Sequence, residues 1–220
     1  MRIAVWMFSL ALVAGSALDA LSDELPATLN GMQRVASSRV KLAYVRPGTD
    51  WKKFRTVQIR PLSIPLEVRD ATPSGQTKKF RESYVLGDKQ VEALQKAYMD
   101  VMRDRLGDAG FTVVDTPAAD TLIVATKVMD IRLSAPIEST RMSYASRGRV
   151  YSQGGGAIAI TAALAEGDTG HVVAEIADSR WPNSDTWRIN NSVSNLSDAK
   201  QAFGFWANAL RDRLKAARGG

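Results

Sequence analysis

The chain has 220 residues, 45% hydrophobic and 24% charged, enough for one ordinary globular domain that can bury a sizeable core without disulfide or metal support. The absence of cysteine excludes thiol nucleophiles, CxxC redox pairs, thiolate zinc sites and iron–sulfur clusters. A single histidine, His171, excludes a histidine-rich metal centre, and 29 Lys+Arg against 23 Asp+Glu leave only a mild net charge of +6.

Met1 to Ala17 is expected to be an export signal. Arg2 supplies a positive start, Ile3 to Val13 an apolar run too short to span a bilayer, and Ala14 to Ala17 a small-residue cleavage region. Cleavage after Ala17 would remove Arg2 and no acid, leaving the net charge one unit lower. Leu12-Val13-Ala14-Gly15 is also the context that precedes the lipidated cysteine of bacterial lipoproteins, but Ser16 stands in its place. Serine has no thiol to carry a diacylglycerol. The product is therefore expected in the periplasm, with outer-membrane association only if it is processed differently. No later stretch is apolar enough for a transmembrane span.

Residues 18–39 are weakly periodic, with Pro26 and Asn30-Gly31 as breakers, and are expected to form a tether with a helical turn near Leu29 to Val35. A single domain is expected over 40–220. Arg46 to Asp50 is a turn cluster, followed by Trp51 and Phe54, which can pack under the first strand. Thr56 to Ile59 alternates as a strand, and the alternation continues through Leu62, Ile64 and Leu66. Pro61 and Pro65 in that stretch imply an edge or a bulge. Asp70 to Arg81 is polar and reads as a loop.

The clearest helix runs from about Gly87 to Asp108. Val91, Leu94, Tyr98, Val101, Met102 and Leu106 form its apolar stripe, Asp88 its expected cap, and Gly107 with Gly110 its end. Phe111 to Val114 is a short strand. Leu122 to Leu133 is a long one, apolar on both faces at first, as a central strand would be. Ser134 to Gly155 is a polar, basic and finally glycine-rich loop. Ala157 to Ala165 and His171 to Asp178 are strands joined by Glu166 to Gly170, a strong hairpin signal. Trp181 to Ser194 is a polar connection with a short edge strand near Thr186 to Ile189. Ser197 or Asp198 can cap the last helix, whose stripe is Ala199, Ala202, Phe203, Trp206, Leu210 and Leu214. The order β-α-β-β-β-β-α predicts an α+β two-layer sandwich, a mixed sheet with two amphipathic helices on one face.

Three segments carry a family resemblance: Tyr44 to Pro61 (YVRPGTDWKKFRTVQIRP), Leu106 to Asp115 (LGDAGFTVVD) and the hairpin Ala163 to Ala174 (ALAEGDTGHVVA). With the Trp206 helix they resemble the bacterial envelope lipoprotein family catalogued as domain of unknown function 3313, over roughly Val40 to Ala217. The resemblance implies an envelope domain of unknown role and brings no catalytic residues. Ser16 departs from the lipobox cysteine such proteins typically carry.

No catalytic constellation stands out. His171 opens a strand without a G-x-S-x-G elbow anywhere in the chain, and reads as a turn histidine. Gln153 to Ala157 has three glycines, but they lead into a strand and lack the Lys-Ser/Thr of a phosphate loop. Asp115 and Asp120 suit a turn, and Asp130 has Arg132 beside it in a strand. Basic residues recur at Lys52-Lys53-Arg55, Lys78-Lys79-Arg81, Arg141-Arg147-Arg149 and Arg211-Arg213-Lys215, chiefly as solvated faces.

The most distinctive surface signal is a set of arginines and aromatics in long connections: Arg141, Tyr144, Arg147, Arg149 and Tyr151, joined by Trp181 and Trp187. These are the expected partner-contact residues. The expected function is a non-catalytic binding or assembly module of the envelope, contacting an envelope protein or anionic lipid. Nucleic acid is not expected as a partner, and no cofactor or metal is expected; the oligomeric state stays open. The alternatives are a carrier of lipid or another small ligand, using a cleft between helices and sheet, and an envelope hydrolase.

Overall fold

The computed structural model describes residues 25–37, 39–72, 84–137, 150–153, 156–180, 187–190 and 192–219. The first elements among the described residues are two short strands, β1 (Thr28–Leu29) and β2 (Met32–Arg34), rather than the helical turn expected there. The reason is local. Asn30 (φ 49°) and Gly31 (φ 75°) both take the left-handed conformation, which a tight hairpin needs and a helix excludes. The hairpin is held to the fold by fully buried Met32, which joins Leu42, Tyr44 and Ala177 in a small second core. The Tyr44 hydroxyl donates to the Pro26 carbonyl at 2.8 Å. Part of the expected tether is thus sheet.

After β3 (Leu42–Val45) the chain turns through Trp51–Lys53, a single 3-10 turn capped by Asp50, into β4 (Thr56–Ile59). Phe54 is fully buried beneath it. The alternation past β4 is only partly sheet. Ser63 bridges Lys127, and Leu62 and Ile64 are buried, but Leu66 is 76% exposed in a second 3-10 turn that starts behind Pro65. Proline supplies no ladder donor, so the strand stops there.

Helix α1 (Asp88–Gly107) follows. Its cap is Gly87 and not Asp88, which is the first helical residue and pairs with Arg69 at 2.9 Å. Gly110 (φ 78°) lets the chain fold back, so that the Phe111 amide bonds the Leu106 carbonyl. Then come β5 (Thr112–Val113), β6 (Thr121–Arg132), β7 (Val150–Gln153), β8 (Ala157–Glu166), β9 (Val172–Arg180), β10 (Trp187–Asn190) and α2 (Ser192–Arg218).

Helix α2 begins before its expected caps. Asn195 and Asp198 turn sideways out of the helix: Asn195 Oδ1 accepts from the Ser134 and Ala135 amides at 3.0 and 3.1 Å, and Asp198 accepts from Ser134 Oγ at 3.3 Å. Their side chains are engaged across the fold, so the helix is free to start earlier. β10 is also not an edge strand of the main sheet. It pairs with β7 in a separate two-stranded sheet.

The main sheet is mixed, with order β1-β2-β3-β9-β8-β6-β4-β5. β4 runs parallel to β5 and β6, and the other pairings are antiparallel. The apolar stripes of α1 (Val91, Leu94, Tyr98, Met102, Leu106) and α2 (Ala199, Ala202, Phe203, Trp206, Leu210, Leu214) bury against one face, on Val57, Val124, Val128, Ile160 and Leu164. The molecule is the two-layer α+β sandwich that the sequence predicts.

Candidate functional site

Sheet register decides where the two layers part. Thr126, Ala162, Ile176 and Ala43 are consecutive partners across β6, β8, β9 and β3, and Val124, Leu164, Ala174 and Val45 form the neighbouring row. Three of these eight residues are alanines. Short side chains under a helix leave volume, and a cavity of about 450 Å³ opens between this patch and the helices. That lies in the roughly 300–1,000 Å³ range of small-molecule sites. Tyr98 and Met102 of α1 and Trp206 and Leu210 of α2 form its roof, and its wall is almost wholly apolar.

At the inner end, beneath α1, the Tyr98 hydroxyl and Thr126 Oγ1 bond each other at 2.8 Å. Burial pushes the Tyr98 phenol up to about 12 despite the opposing effect of the Thr126 bond. Tyr98 is further fixed edge-on against Phe203, with ring centroids 5.4 Å apart.

The polar groups gather at the other end, beside β3. Val35 to Ser37, Arg39 and Val40 line the opening, and Ser37 Oγ accepts from the Arg39 and Val40 amides at 3.1 and 3.2 Å. Arg39 reaches α2 and pairs with Asp212 at 2.9 Å. Asp212 also accepts from Arg211 at 2.8 Å, and this bond, with the charges of Arg211, Arg39 and Lys215, holds its carboxyl below the usual carboxylate range. Arg213 lines the same rim, its guanidinium 5.8 Å from the Trp51 ring centroid.

One buried carboxylate fixes the roof to the floor. Asp178 of β9 accepts from Trp206 Nε1 and from Arg180 Nε, both at 2.7 Å, and from the Lys41 amide at 3.1 Å. It therefore ties α2, β9 and the entry to β3 together. Arg180 in turn stacks on Phe205, 3.3 Å from the ring centroid.

A smaller cavity of about 280 Å³ lies near the start of both helices, between Leu86, Leu94, Ile131, Leu133 and Leu196. Of the polar residues that line it, Asn195 and Asp198 are already spent on Ser134, Ala135 and Gly156.

Of the residues singled out from sequence, Arg141, Tyr144, Arg147, Arg149 and Trp181 lie outside the described residues, as do Lys78, Lys79 and Arg81. Tyr151 falls in β7 and Trp187 in β10. The register Ile189↔Tyr151 and Trp187↔Gln153 puts these two residues at diagonal positions of the β7–β10 pair. His171 is exposed beside the hairpin turn. Asp120 precedes β6 and Asp130 lies near its far end, so the aspartates do not converge, and Asp130 pairs with Arg132 at 3.2 Å. Lys53 pairs with Glu166 at 2.6 Å. Among the described residues no group of three or more His, Asp or Glu is placed to hold a metal ion.

The cavity residues had little sequence signature. Arg39, Asp212 and Arg213 are ordinary surface types, and only the alanine content of β8, a residue depleted in strands, hints at a helix passing over an unfilled patch.

Known proteins offer likeness without a role. The family described as "Protein of unknown function (DUF3313)" matches residues 21–210. No curated protein matches the sequence. Among solved structures, the chain is similar to a DUF330 protein from Xanthomonas campestris, at 14% identity over 76% of this chain and 87% of that one, with a TM-score of 0.42. It is also similar to the PelC dodecamer from Paraburkholderia phytofirmans (11% identity, 74% and 96% covered, TM-score 0.36) and a minor lipoprotein from Acinetobacter baumannii (9%, 75% and 95%, TM-score 0.34). No helix among the described residues is long and apolar enough to cross a membrane.

Proposed function

The chain belongs to the DUF3313 family, whose function is unknown, and from that premise we propose that it is an exported, non-catalytic binding protein of the bacterial envelope that holds a small apolar ligand between its helices and its sheet. The observation that carries this reading is the cavity of about 450 Å³, apolar along its wall and polar at one end. A binding role suits its chemistry. Tyr98, with its phenol pushed up to about 12, stays protonated at neutral pH, and Arg39 and Asp212 neutralise each other at the rim. Export is supported by the apolar, small-residue start of the sequence, Met1 to Ala17.

Solvent extraction of the purified full-length chain, followed by mass spectrometry, tests the ligand. A near-stoichiometric amphiphile is expected, and Ala162→Phe, which fills the floor, should lose it. A chain that carries nothing and binds no apolar probe overturns the reading. Export is tested separately by N-terminal sequencing of the periplasmic fraction, where a start near Leu18 is expected; an intact Met1 in the cytoplasm contradicts it.

A second reading concerns partner contact. Its support is the pairing of β7, which carries Tyr151, with β10, which carries Trp187, and the proposed surface adds Arg141, Tyr144, Arg147, Arg149 and Trp181 from the sequence. An envelope protein or an anionic lipid surface is the matching partner. Pull-down from envelope extracts with the intact chain and an Arg141/Arg147/Arg149→Ala variant tests it, and equal recovery by both removes this surface.

A further inference from the structure

We infer that the cavity takes a single-chain amphiphile with an anionic head group, the tail lying across the strands toward Tyr98 and Thr126 and the head seated at Arg213 and Arg39. The inference rests on the proposed ligand-binding reading and adds the chemical class and the direction of entry.

The direction follows from register. The floor row Ala43, Ile176, Ala162 and Thr126 crosses four adjacent strands, three inter-strand spacings, or about 14 Å. The cavity is thus elongated perpendicular to the strands. Its β6 end is closed by α1, where the Tyr98 and Thr126 hydroxyls already satisfy each other. Its β3 end is bordered by the exposed residues Val35 to Ser37 and Arg39. An occupant therefore has one apolar end, held in the interior, and one end at the rim.

The sign of the rim decides the head group. Arg39 and Arg213 line it together with one carboxylate, Asp212, and the charges of Arg211 and Lys215 also act on that carboxylate. Asp212 is shared between Arg39 and Arg211. Arg213 has no carboxylate partner among the described residues and lies on the face of Trp51. Two arginines and one acid line the rim among the described residues, and that acid is itself held by Arg39 and by Arg211 outside the cavity, so the rim suits an anion: a carboxylate or phosphate accepts from Arg213 directly, and from Arg39 in competition with Asp212. A cationic head would meet Arg213 at the same rim and be repelled.

Calorimetric titration of the full-length chain with dodecanoate, dodecanol and dodecyltrimethylammonium, which share one tail, reads this out. Dodecanoate is expected to bind about tenfold more tightly than dodecanol, and the ammonium least well. Arg213→Gln should abolish the difference between dodecanoate and dodecanol while leaving dodecanol binding in place. Asp212→Asn should widen it, because the competing carboxylate is gone. A purely structural Arg39–Asp212 pair would instead weaken all three probes together. Equal binding of dodecanoate and dodecanol, or preference for the ammonium, overturns the head-group inference and leaves the apolar cavity standing. Failure of all three probes to bind overturns the cavity reading and this inference with it.

Discussion

The indole Nε1–H of Trp206 donates to Oδ2 of Asp178 across 2.7 Å, inside the apolar layer between helix and sheet. A carboxylate with no exposed side-chain surface is costly unless its oxygens are satisfied. Here three donors from three elements converge on it: Trp206, Arg180 and the Lys41 amide. The bond sets the height of α2 above the alanine-floored patch and so maintains the cavity.

Removing the donor alone is the milder test. Trp206→Phe keeps most of the apolar bulk but takes one charge-assisted bond from Asp178, and should lower stability by about 2 kcal/mol. Asp178→Ala leaves Trp206 and the Lys41 amide without an acceptor and should cost about 3 kcal/mol or more. Urea unfolding of both variants checks the order.

Two glycines should resist substitution, and a third should welcome it. A Cβ at Gly156 would overlap the Arg132 carbonyl, and one at Gly167 the Ala118 carbonyl and Thr121. Gly156→Ala and Gly167→Ala should each destabilise by roughly 2 kcal/mol or more, since backbone has to move. Gly107, at the end of α1, has open space where its Cβ would be, and Gly107→Ala should stabilise by about 0.5 kcal/mol. Thermal unfolding of the three variants separates the cases.

Tyr98 makes the fold sensitive to alkali. Its phenol is pushed up to about 12 in the folded chain, against 10.0 unperturbed, so between these values the unfolded chain releases a proton that the folded chain keeps. Stability is then full below pH 10 and falls as pH rises toward 12, by about 2 kcal/mol for this group. Burial raises the Tyr84 phenol too, adding to the same slope. Tyr98→Phe should flatten the decline measured by denaturant titration at increasing pH.

Glu166 acts at the other end of the scale. The hydrogen bond from Lys53 is the main cause of its lowered carboxyl, helped by Thr169 and opposed by burial. A lowered folded value means stabilisation that is present above the unperturbed 4.5 and disappears as pH falls through the folded value. Lys53→Met should weaken that acid dependence, leaving the part due to Thr169, and cost at most about 1 kcal/mol at neutral pH, as expected of a pair near the surface. Unfolding measured at pH 7 and at pH 3 distinguishes the variant from the parent.

The legible parts of the fold were those whose periodicity reported burial directly. The Val91-to-Leu106 and Ala199-to-Leu214 stripes lie on the core, and β6, doubly apolar at its start, sits between β8 and β4 inside the sheet. The N-terminal hairpin escaped because Asn30-Gly31 punctuates a loop as well as a turn, and only distant Leu42, Tyr44 and Ala177 make Met32 a core residue. The early start of α2 escaped because Ser197 and Asp198 both suit a cap in the sequence, and only in space does Asp198, with Asn195, turn to Ser134, Ala135 and Gly156. The cavity is the least legible feature of all. It arises from the register of four strands under a helix, and no short window of sequence contains Ala43, Ala162 and Ala174 together.

The pairing of β3 with β9 has a consequence for how the chain reaches this shape. Residues 42–45 find their partners only at 174–177, so the first three strands have no place in the main sheet until most of the chain exists. Loop closure over such a distance is slow, and it defers assembly of the sheet rather than letting it grow from the amino terminus. A nascent chain stopped before β9 would hold β3 as an open edge with no neighbour on the β9 side. The cavity between helices and sheet is therefore completed late in folding, when the two halves of its floor, made far apart in time, finally meet.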